Sequence, residues 1–389
     1  MPPVGRDAFI VEAVRTPVGR GHPEKGALRD LHPADLLGRT YQGLIERSGI
    51  PAEAVDNTIA GCVYQIAEQA AGIARTAWLQ KGLPETTGAT TLDIRCGSGQ
   101  QALHFAALRV AGGIDDVAVA AGVEHMGRVG FGVNAQAQEQ WGQAFTQELL
   151  DRYQLVPQGE GAELIADRYD IGRAEMDELA LESHRRADRA TRDGAFAREI
   201  LPLEVGGEQL TADQGIRPDT SLEKLAALQP AFRPDGRVTA GNSSQVSDGA
   251  AALLVMSDEK AAELGVTPRA RIVDQVTLGV DPVTMLTGPI PATAKILARN
   301  GLTIGDLDAI EINEAFASVV LAWQRETGAD LNVVNPRGGA IALGHPLGST
   351  GARLATTLLH ELEDTDGELG LVTMCCGGGL GTATLIQRV

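Results

Sequence analysis

Short runs of apolar and β-branched residues alternate with alanine-rich stretches along most of the chain. The apolar runs predict buried strands, and the alanine-rich stretches predict helices between them. Strands that alternate with helices indicate an α/β fold with crossover connections. The strands are expected at residues 8–13, 58–62, 90–94, 117–121, 250–256, 271–276, 309–312, 333–335, 369–374 and 382–387, and the helices at 33–48, 70–80, 98–111, 291–299, 315–326 and 348–362.

This alternation is interrupted between about residues 122 and 246. The interrupting stretch is rich in Gln, Glu, Asp and Arg, and it contains helical segments at 159–169 and 173–192. A long polar segment between two regular α/β blocks predicts an insertion that lies over a functional site.

The two α/β blocks resemble each other. An Arg-x-Gly sequence precedes a strand in each block, at residues 47–49 and 299–301. Each block then continues with a glycine-rich turn, a helix and another strand, at 96–117 and 344–369. The repeat predicts duplicated halves that face one another. The Arg-x-Gly match taken alone could also mark an ordinary helix end.

Composition and charge narrow the class of partner. Of the 389 residues, 33 are Lys or Arg and 51 are Asp or Glu, which gives a formal net charge of −18. Nucleic-acid binding requires clustered cations, so this balance argues against a nucleic-acid partner. The net charge does not exclude binding of a small polyanionic ligand, because such a ligand needs only a local basic patch. The chain also has 47 glycines, more than average usage, and they follow no collagen-like period. Their positions along the chain are therefore a clue to where the functional turns lie.

The cysteine content indicates a protein of a reducing compartment. The four cysteines are too few and too irregularly spaced for a disulfide framework. The sequence contains no Cys-x-x-Cys pair, so a structural zinc site is not expected. The first twenty residues carry charges rather than a signal-peptide core, and no apolar run has membrane-spanning length. We therefore expect a cytoplasmic protein with no membrane span and no metal.

The first candidate site is Cys96-Gly-Ser-Gly, where a strand enters a glycine turn that opens a helix. Unpaired N–H groups and the helix dipole at such a position lower a thiol's pKa and can hold an oxyanion. A buried, inert cysteine is an equally open interpretation. The sequence from Gly97 to Ala102 also fits a dinucleotide-binding pattern, with Glu124 as a ribose ligand. That pattern usually follows the first strand of its domain, whereas here several units precede it.

Three further motifs carry residues suited to chemistry. Asn313 follows an apolar strand at the end where α/β sites gather, although it could instead cap the following helix. His345 lies among glycines and a proline, a setting that suits an imidazole held in one orientation. Cys375 and Cys376 precede a glycine run that leads into a strand, so no phosphate loop is expected. Thiols, an imidazole and an amide in separate glycine turns favour nucleophilic thiol chemistry. Metal binding would need a ligand spacing that is not recognisable here.

Together these motifs resemble the signature of the thiolase family. Cys96-Gly-Ser-Gly, Asn313-Glu-Ala-Phe, Gly344-His-Pro-x-Gly and Cys375-x-Gly-Gly-Gly occur in the family's order and spacing. The resemblance implies the thiolase fold, with two duplicated α/β halves in a five-layered αβαβα arrangement. It implies an N-terminal domain at 1–267, which contains the inserted loop domain at about 122–246, and a C-terminal domain at 268–389.

The resemblance also implies an activity. Thiolases cleave a 3-ketoacyl-CoA with coenzyme A, or run the reverse Claisen condensation, with coenzyme A as co-substrate and no other cofactor. By resemblance, Cys96 forms the acyl-enzyme, His345 takes its proton, and Cys375 acts as acid or base at the α-carbon. One oxyanion hole would combine the N–H groups of Cys96 and Gly377, and the other would combine His345 with a water held by Asn313.

The same residues distinguish thiolases from related classes of protein. Ketoacyl synthases pair a cysteine with two histidines, whereas here Asn313 occupies the second histidine position and Cys375 is present. A non-catalytic CoA- or lipid-binding relative would lack one of these groups. A homodimer or homotetramer is implied by resemblance alone, and a redox disulfide between Cys96 and Cys375 is a further hypothesis.

The resemblance assigns ligand-binding residues as well. It places Arg217 and Lys224 near the nucleotide of coenzyme A and Ser244 near its pantetheine, and it places Ala315 and Phe316 at the substrate. Pro157-Gln-Gly replaces the His-Met-Gly of short-chain acetoacetyl-CoA thiolases. This departure favours a longer or bulkier acyl group, and an acetoacetyl-CoA thiolase is the alternative. Residues 78–102 most resemble actinobacterial 3-ketoacyl-CoA thiolases, including those that shorten steroid side chains.

Overall fold

A computed structural model describes residues 5–389 of the chain. Its strands are β1 (Phe9–Arg15), β2 (Gly19–Arg20), β3 (Asn57–Gly61), β4 (Gly88–Leu92), β5 (Val117–His125), β6 (Leu203–Val205), β7 (Glu208–Leu210), β8 (Ser247–Met256), β9 (Ala270–Gly279), β10 (Ala309–Ile312), β11 (Leu369–Cys376) and β12 (Leu380–Arg388). Its α-helices are α1 (Pro33–Ser48), α2 (Ile73–Gln80), α3 (Ser98–Ala111), α4 (Gly132–Trp141), α5 (Gln147–Arg152), α6 (Gln158–Arg168), α7 (Arg173–Arg192), α8 (Leu222–Ala226), α9 (Asp258–Leu264), α10 (Pro289–Asn300), α11 (Ala317–Thr327), α12 (Ala340–Leu343) and α13 (Thr350–Asp364).

The main sheet consists of two halves of the same design. In the first half, β1 and β5 pair antiparallel with β8, and β3 lies parallel between β5 and β4. In the second half, β9 and β11 pair antiparallel with β12, and β10 lies parallel to β11. The halves meet where β1 pairs antiparallel with β9. The repeated pairing pattern confirms the duplication that the sequence predicted.

One predicted strand is almost absent. Residues 333–335 occupy the place that corresponds to β4, but they form only a single parallel bridge between Ile310 and Val334. Asn335 adopts a left-handed backbone with φ of 45°, which turns the chain away from the sheet. Its side-chain amide accepts a hydrogen bond from the N–H of Ile312 and donates one to the carbonyl of Ile312, so it pairs with the last residue of β10 in place of a strand.

Helices and sheet halves form five layers, which confirms the predicted αβαβα arrangement. Helices α1 and α2 cover the outer face of the first half with a cluster of aliphatic residues, Trp78 and Tyr41. Helices α3 and α13 lie between the halves in the central cluster. Helices α10 and α11 cover the outer face of the second half, around Trp323. Burial of apolar faces on both sides of each sheet half stabilises this stack.

The first turns of α3 and α13 approach each other at backbone distance. A Cβ atom on Gly99 would lie 2.8 Å from the carbonyl oxygen of Gly348 and 2.9 Å from the backbone nitrogen of Ala352. Only glycine fits such an approach. Since Gly99 is three residues beyond Cys96 and Gly348 three beyond His345, this contact brings the two candidate turns side by side.

The polar insertion lies between β5 and β8. It begins slightly later than predicted, because residues 122–125 still pair with β8. Helices α6 and α7 pack on α11 in a separate cluster that includes Cys375 and Phe316, so the insertion covers the second half near a candidate site. Helices α4 and α5 contain no buried residue. Within residues 5–389, no helix combines the length and apolar character that crossing a bilayer would require.

Candidate active site

Cys96 sits in a tight turn between the end of a strand region and helix α3. Arg95 has a left-handed backbone with φ of 58°, which costs free energy for a residue with a side chain. The turn is held by hydrogen bonds: the Arg95 N–H donates to Asp93 Oδ1 at 2.6 Å, and the Ser98 hydroxyl donates to the Arg95 carbonyl at 2.6 Å. The turn places Cys96 immediately before the first residues of α3.

The Cys96 thiol is buried and surrounded by backbone donors. The side chain is only 4% exposed, and burial raises its pKa to about 11. The backbone N–H groups of Gly377 and of Cys96 itself lie near the sulfur and oppose that rise in pKa. The resting thiol is therefore protonated at neutral pH, so its use as a nucleophile requires a base.

His345 is held in one tautomer. Its Nδ1 atom lies 2.7 Å from the hydroxyl oxygen of Thr350, and that hydroxyl donates its only hydrogen to the Pro346 carbonyl at 2.8 Å. The hydroxyl must therefore accept a hydrogen bond from Nδ1–H, which leaves Nε2 as the ring's lone-pair nitrogen. Burial, and then the charge of Arg353, lower the pKa of His345 to about 3. The imidazole is neutral and can accept a proton at Nε2.

Asn313 connects His345 to Cys375. Its Nδ2 atom lies 3.3 Å from His345 Nε2, and its amide is close enough to the Cys375 thiol to oppose the rise in that thiol's pKa. Burial, together with the neighbouring Cys96, raises the pKa of Cys375 well above its usual range. Asn313 Oδ1 is buried and has no hydrogen-bond partner among residues 5–389.

The five candidate catalytic residues form one connected chain of contacts. Gly377 and Cys375 are both close enough to a neighbouring thiol to shift a pKa: the Gly377 N–H lowers that of Cys96, and Cys96 raises that of Cys375. Asn313 lowers the pKa of Cys375 and contacts His345. The residues come from three distant glycine turns and from the segment that follows β10, which meet at one end of the central helices. This geometry can support attack by one thiol, with a neutral imidazole and a second thiol for proton transfer.

The predicted coenzyme A residues fall in two adjoining groups. Arg217 and Lys224 line a cavity of about 160 Å³ that lies within the insertion, between α7, the segment 217–228 and the segment 240–245. The Lys224 ammonium is bound by Asp219 at 2.6 Å, so it is not free in this structure.

The second group lies at the start of α11. The Ser244 N–H donates to the Ala315 carbonyl at 2.9 Å, and the neighbouring Ser243 forms a bridge with Phe316. Ala315 and Phe316 are buried beside Cys375 in one apolar cluster. The segment that contains Ser244 therefore runs from the Arg217 cavity toward the thiols.

Two interpretations that the sequence left open are wrong. Asn313 does not cap a helix, because α11 begins at Ala317 and Phe316 holds the cap position. Glu124 cannot bind a ribose, because it is fully buried and its carboxylate accepts hydrogen bonds from the backbone of Val63, Tyr64 and Gly348 and from the Gln69 amide. Across residues 5–389, no three His, Cys, Asp or Glu side chains lie close enough to hold a metal ion.

Sequence reasoning missed Thr350, which fixes the His345 tautomer. Its only sequence signal is its position at the start of the helix that follows the His-Pro-Leu-Gly turn. A hydroxyl at a helix start usually bonds its own backbone, so the contact with the imidazole could not be separated from capping.

Comparison with known proteins agrees with this fold and site. The family model described as thiolase, N-terminal domain, matches residues 8–259, and that described as thiolase, C-terminal domain, matches residues 266–388. The chain belongs to the thiolase family. It is an acyltransferase of the 3-ketoacyl-CoA thiolase type.

Individual relatives cover almost the whole chain. It is 47% identical over 391 residues to the steroid 3-ketoacyl-CoA thiolase FadA6 of Mycobacterium tuberculosis, covering 98% of this chain and 94% of that one. It is 43% identical over 405 residues to the beta-ketoadipyl-CoA thiolase of Pseudomonas aeruginosa, covering 99% and 100%. Among solved structures, the Bacillus anthracis acetyl-CoA acetyltransferase matches with a TM-score of 0.90 and 38% identity, covering 99% and 100%.

Proposed function

We propose that Cys96 attacks the 3-keto carbon of a 3-ketoacyl-CoA while His345 Nε2 takes the thiol proton. A thiol with a raised pKa and an imidazole with a lowered one do not form a stable ion pair, so proton transfer accompanies the attack. Gly377 lies against the Cys96 turn, since its Cβ position would be 3.7 Å from Arg95 Cγ, and its backbone N–H and that of Cys96 both lower the pKa of the thiol. These two N–H groups would bind the oxyanion that forms on the attacked carbon. This pair of donors is the observation that carries the proposal.

Cleavage of the bond between C2 and C3 then releases the enolate of acetyl-CoA. Cys375 donates its thiol proton to C2, and Cys96 keeps the acyl group as a thioester. His345 and a water on the free Oδ1 of Asn313 would stabilise the enolate oxygen. Coenzyme A next attacks the thioester, its proton returns to Cys375, and Cys96 recovers its proton from His345.

The substrate is proposed to be longer or bulkier than acetoacetyl-CoA. Gln158 replaces the methionine of the short-chain motif, and relatives at 43–47% identity are named for steroid and beta-ketoadipyl thioesters. The alternative, an acetoacetyl-CoA thiolase, is favoured by the likeness to the Bacillus anthracis acetyl-CoA acetyltransferase.

Coenzyme A is proposed as the co-substrate, with no further cofactor. The Arg217 cavity would take its negatively charged end, and the Ser244 segment would guide the pantetheine toward Cys375. Because Lys224 is held by Asp219, its contribution requires that this exposed pair open when the nucleotide binds.

The proposed assembly is a homodimer or a dimer of dimers. β4 is the terminal strand of the main sheet, and the neighbouring surface exposes Phe105, Leu108 and Ile114. A free sheet edge beside an apolar patch suits a second copy of the same chain. All four cysteines are unpaired, which supports the proposal of a cytoplasmic location.

A graded panel of 3-ketoacyl-CoAs tests the activity and the substrate together. Acetyl-CoA release would be followed for four-carbon, six-carbon, long-chain and ring-containing substrates with coenzyme A present. The proposal predicts turnover with a higher kcat/KM for the larger acyl groups. A maximum at acetoacetyl-CoA would establish the alternative, and binding without any release would refute the enzymatic proposal.

A further inference from the structure

Gln158 lies against the peptide that closes the oxyanion pocket. It is the first residue of α6, and a Cβ atom on Gly377 would lie 2.6 Å from Gln158 Nε2. Gly377 also lies against Arg95, the residue before Cys96, and its N–H is close enough to the Cys96 sulfur to lower that thiol's pKa. The Gln158 amide therefore borders the space next to the reacting thiol.

The side-chain amide of Gln158 has no hydrogen-bond partner among residues 5–389. Three other glutamines show the structural alternative: the amide nitrogen of Gln69 donates to Glu124, that of Gln100 to Thr384, and that of Gln245 to the Ile341 carbonyl. Those three hold the fold together. Gln158 is half-buried and keeps two donors and one acceptor for a ligand.

Arg95 borders the same space from the other side. Its Cγ atom lies 3.7 Å from the Cβ position on Gly377, and it directly precedes Cys96. A single guanidinium nitrogen, Nη1, bonds Asp93 at 3.1 Å, and the side chain is 48% exposed. The remaining guanidinium donors have no partner within residues 5–389, so N–H groups line both sides of the space around Gly377.

We propose that Gln158, assisted by Arg95, selects acyl groups that carry an oxygen acceptor, a carboxylate or a carbonyl, on the chain beyond the reacting ketone. A plain alkyl chain would displace water from these N–H donors without replacing the lost hydrogen bonds, which costs binding free energy. An oxygen acceptor restores those bonds. This inference rests on the proposed thiolase reaction and specifies the substrate class for the same site.

The test compares three six-carbon 3-ketoacyl-CoAs that end in a carboxylate, in the methyl ester of that carboxylate, and in a methyl group. The measured quantity is kcat/KM for each, in the wild type, Gln158→Met and Gln158→Glu. Methionine keeps the side-chain length and removes the polar atoms. Gln154→Met, at an exposed position four residues earlier, is the matched control.

The proposal predicts that the wild type prefers the carboxylate or ester over the methyl-ended chain by about tenfold or more, the range of one charge-assisted hydrogen bond. Gln158→Met should abolish most of that preference. Gln158→Glu should lower the preference for the carboxylate over the methyl-ended chain more than it lowers the preference for the ester over the methyl-ended chain. Gln154→Met should keep the wild-type ratio.

The outcomes separate this inference from the proposed function. If the wild type cleaves all three substrates with equal kcat/KM, or if Gln158→Met lowers all three alike, the selection role is wrong although the enzyme is a thiolase. If no substrate yields acetyl-CoA, the reaction itself fails. A preference for the carboxylate over the ester would assign the ligand's oxygen to a charged group, and equal use of both would assign it to a neutral carbonyl.

Discussion

The hydroxyl of Thr350 accepts a hydrogen bond from Nδ1 of His345 at 2.7 Å while it donates to the Pro346 carbonyl. This arrangement orients the imidazole and leaves Nε2 as the proton acceptor that faces Asn313. Because Thr350 is the first residue of α13, the helix itself fixes the base in position. The tautomer that the proposed reaction requires is thus set by the fold before any substrate binds.

Replacing Thr350 with valine should impair catalysis more than stability. The substitution keeps the shape but removes the acceptor, so the ring can take the other tautomer or rotate. We expect kcat/KM to fall by about 10- to 100-fold and the free energy of unfolding by about 1 kcal/mol. Thiolysis kinetics and urea unfolding measure the two effects.

Thr356→Val is the matched control for that variant. Thr356 is buried on the same helix, and its hydroxyl donates to the Ala352 carbonyl. It should lose similar stability and keep kcat/KM within about twofold. Equal activities in the two variants would remove Thr350 from the positioning of the base.

Cys375→Ala should separate acylation from turnover. Acetyl-CoA should still transfer its acetyl group to Cys96, since that step needs only His345 and the two N–H donors. The C–C bond step should fail, because no thiol remains to move the proton at C2. Intact-protein mass spectrometry reports the first step and steady-state thiolysis the second.

Cys376→Ala serves as the comparison for Cys375→Ala. Cys376 is the adjacent buried thiol, and its sulfur packs against Gly97 rather than against Asn313. Loss of its sulfur should lower stability through the cavity it leaves and keep turnover within the same order of magnitude. Thiolysis at the normal rate in Cys375→Ala would contradict the acid–base role.

Acidification should destabilise the fold through its buried histidines. Burial lowers the pKa of His104 and His345 to about 3 and that of His184 to about 4, below the ordinary value of about 6.5. Between pH 6.5 and pH 4 the unfolded chain binds these protons and the folded chain does not. Stability therefore rises with pH in this window and is lost as pH falls through it.

The variant His104→Gln measures one of these contributions. His104 is buried in α3, where its Nε2 lies 2.8 Å from the Thr384 hydroxyl, a contact that an amide can replace. The free energy of unfolding, measured in urea between pH 4 and pH 6.5, should rise less steeply with pH in the variant than in the wild type. The difference in slope should be about one proton, or about 1.4 kcal/mol per pH unit. An unchanged slope would mean that His104 is protonated in the folded state.

Local sequence signals were sufficient for most of the fold and for the reacting groups. The Val117 strand and the helices from Pro33 and Arg173 were predicted with their starting residues, because apolar periodicity and helix-end residues mark them locally. Cys96, His345 and Cys375 stood out because each lies in a glycine turn.

Local sequence signals could not predict the contacts between segments that are distant in the chain. The prediction of a strand at 333–335 was wrong because Asn335 turns the backbone, and nothing in the apolar run indicates this turn. Whether Asn313 capped a helix or faced a thiol depended on where α11 begins. The approach of Gln158 to Gly377 joins the insertion to the turn between β11 and β12, and no local pattern encodes that distance.

In the proposed reaction Cys96 carries the acyl group. The most direct test digests the enzyme after brief incubation with acetyl-CoA and locates the acetyl group by mass spectrometry, in the wild type and in Cys96→Ala. We predict an acetylated peptide containing residue 96 in the wild type, and neither acetylation nor thiolysis in the variant. An acetyl group on the same peptide of Cys96→Ala, or thiolysis that persists without Cys96, would contradict the account.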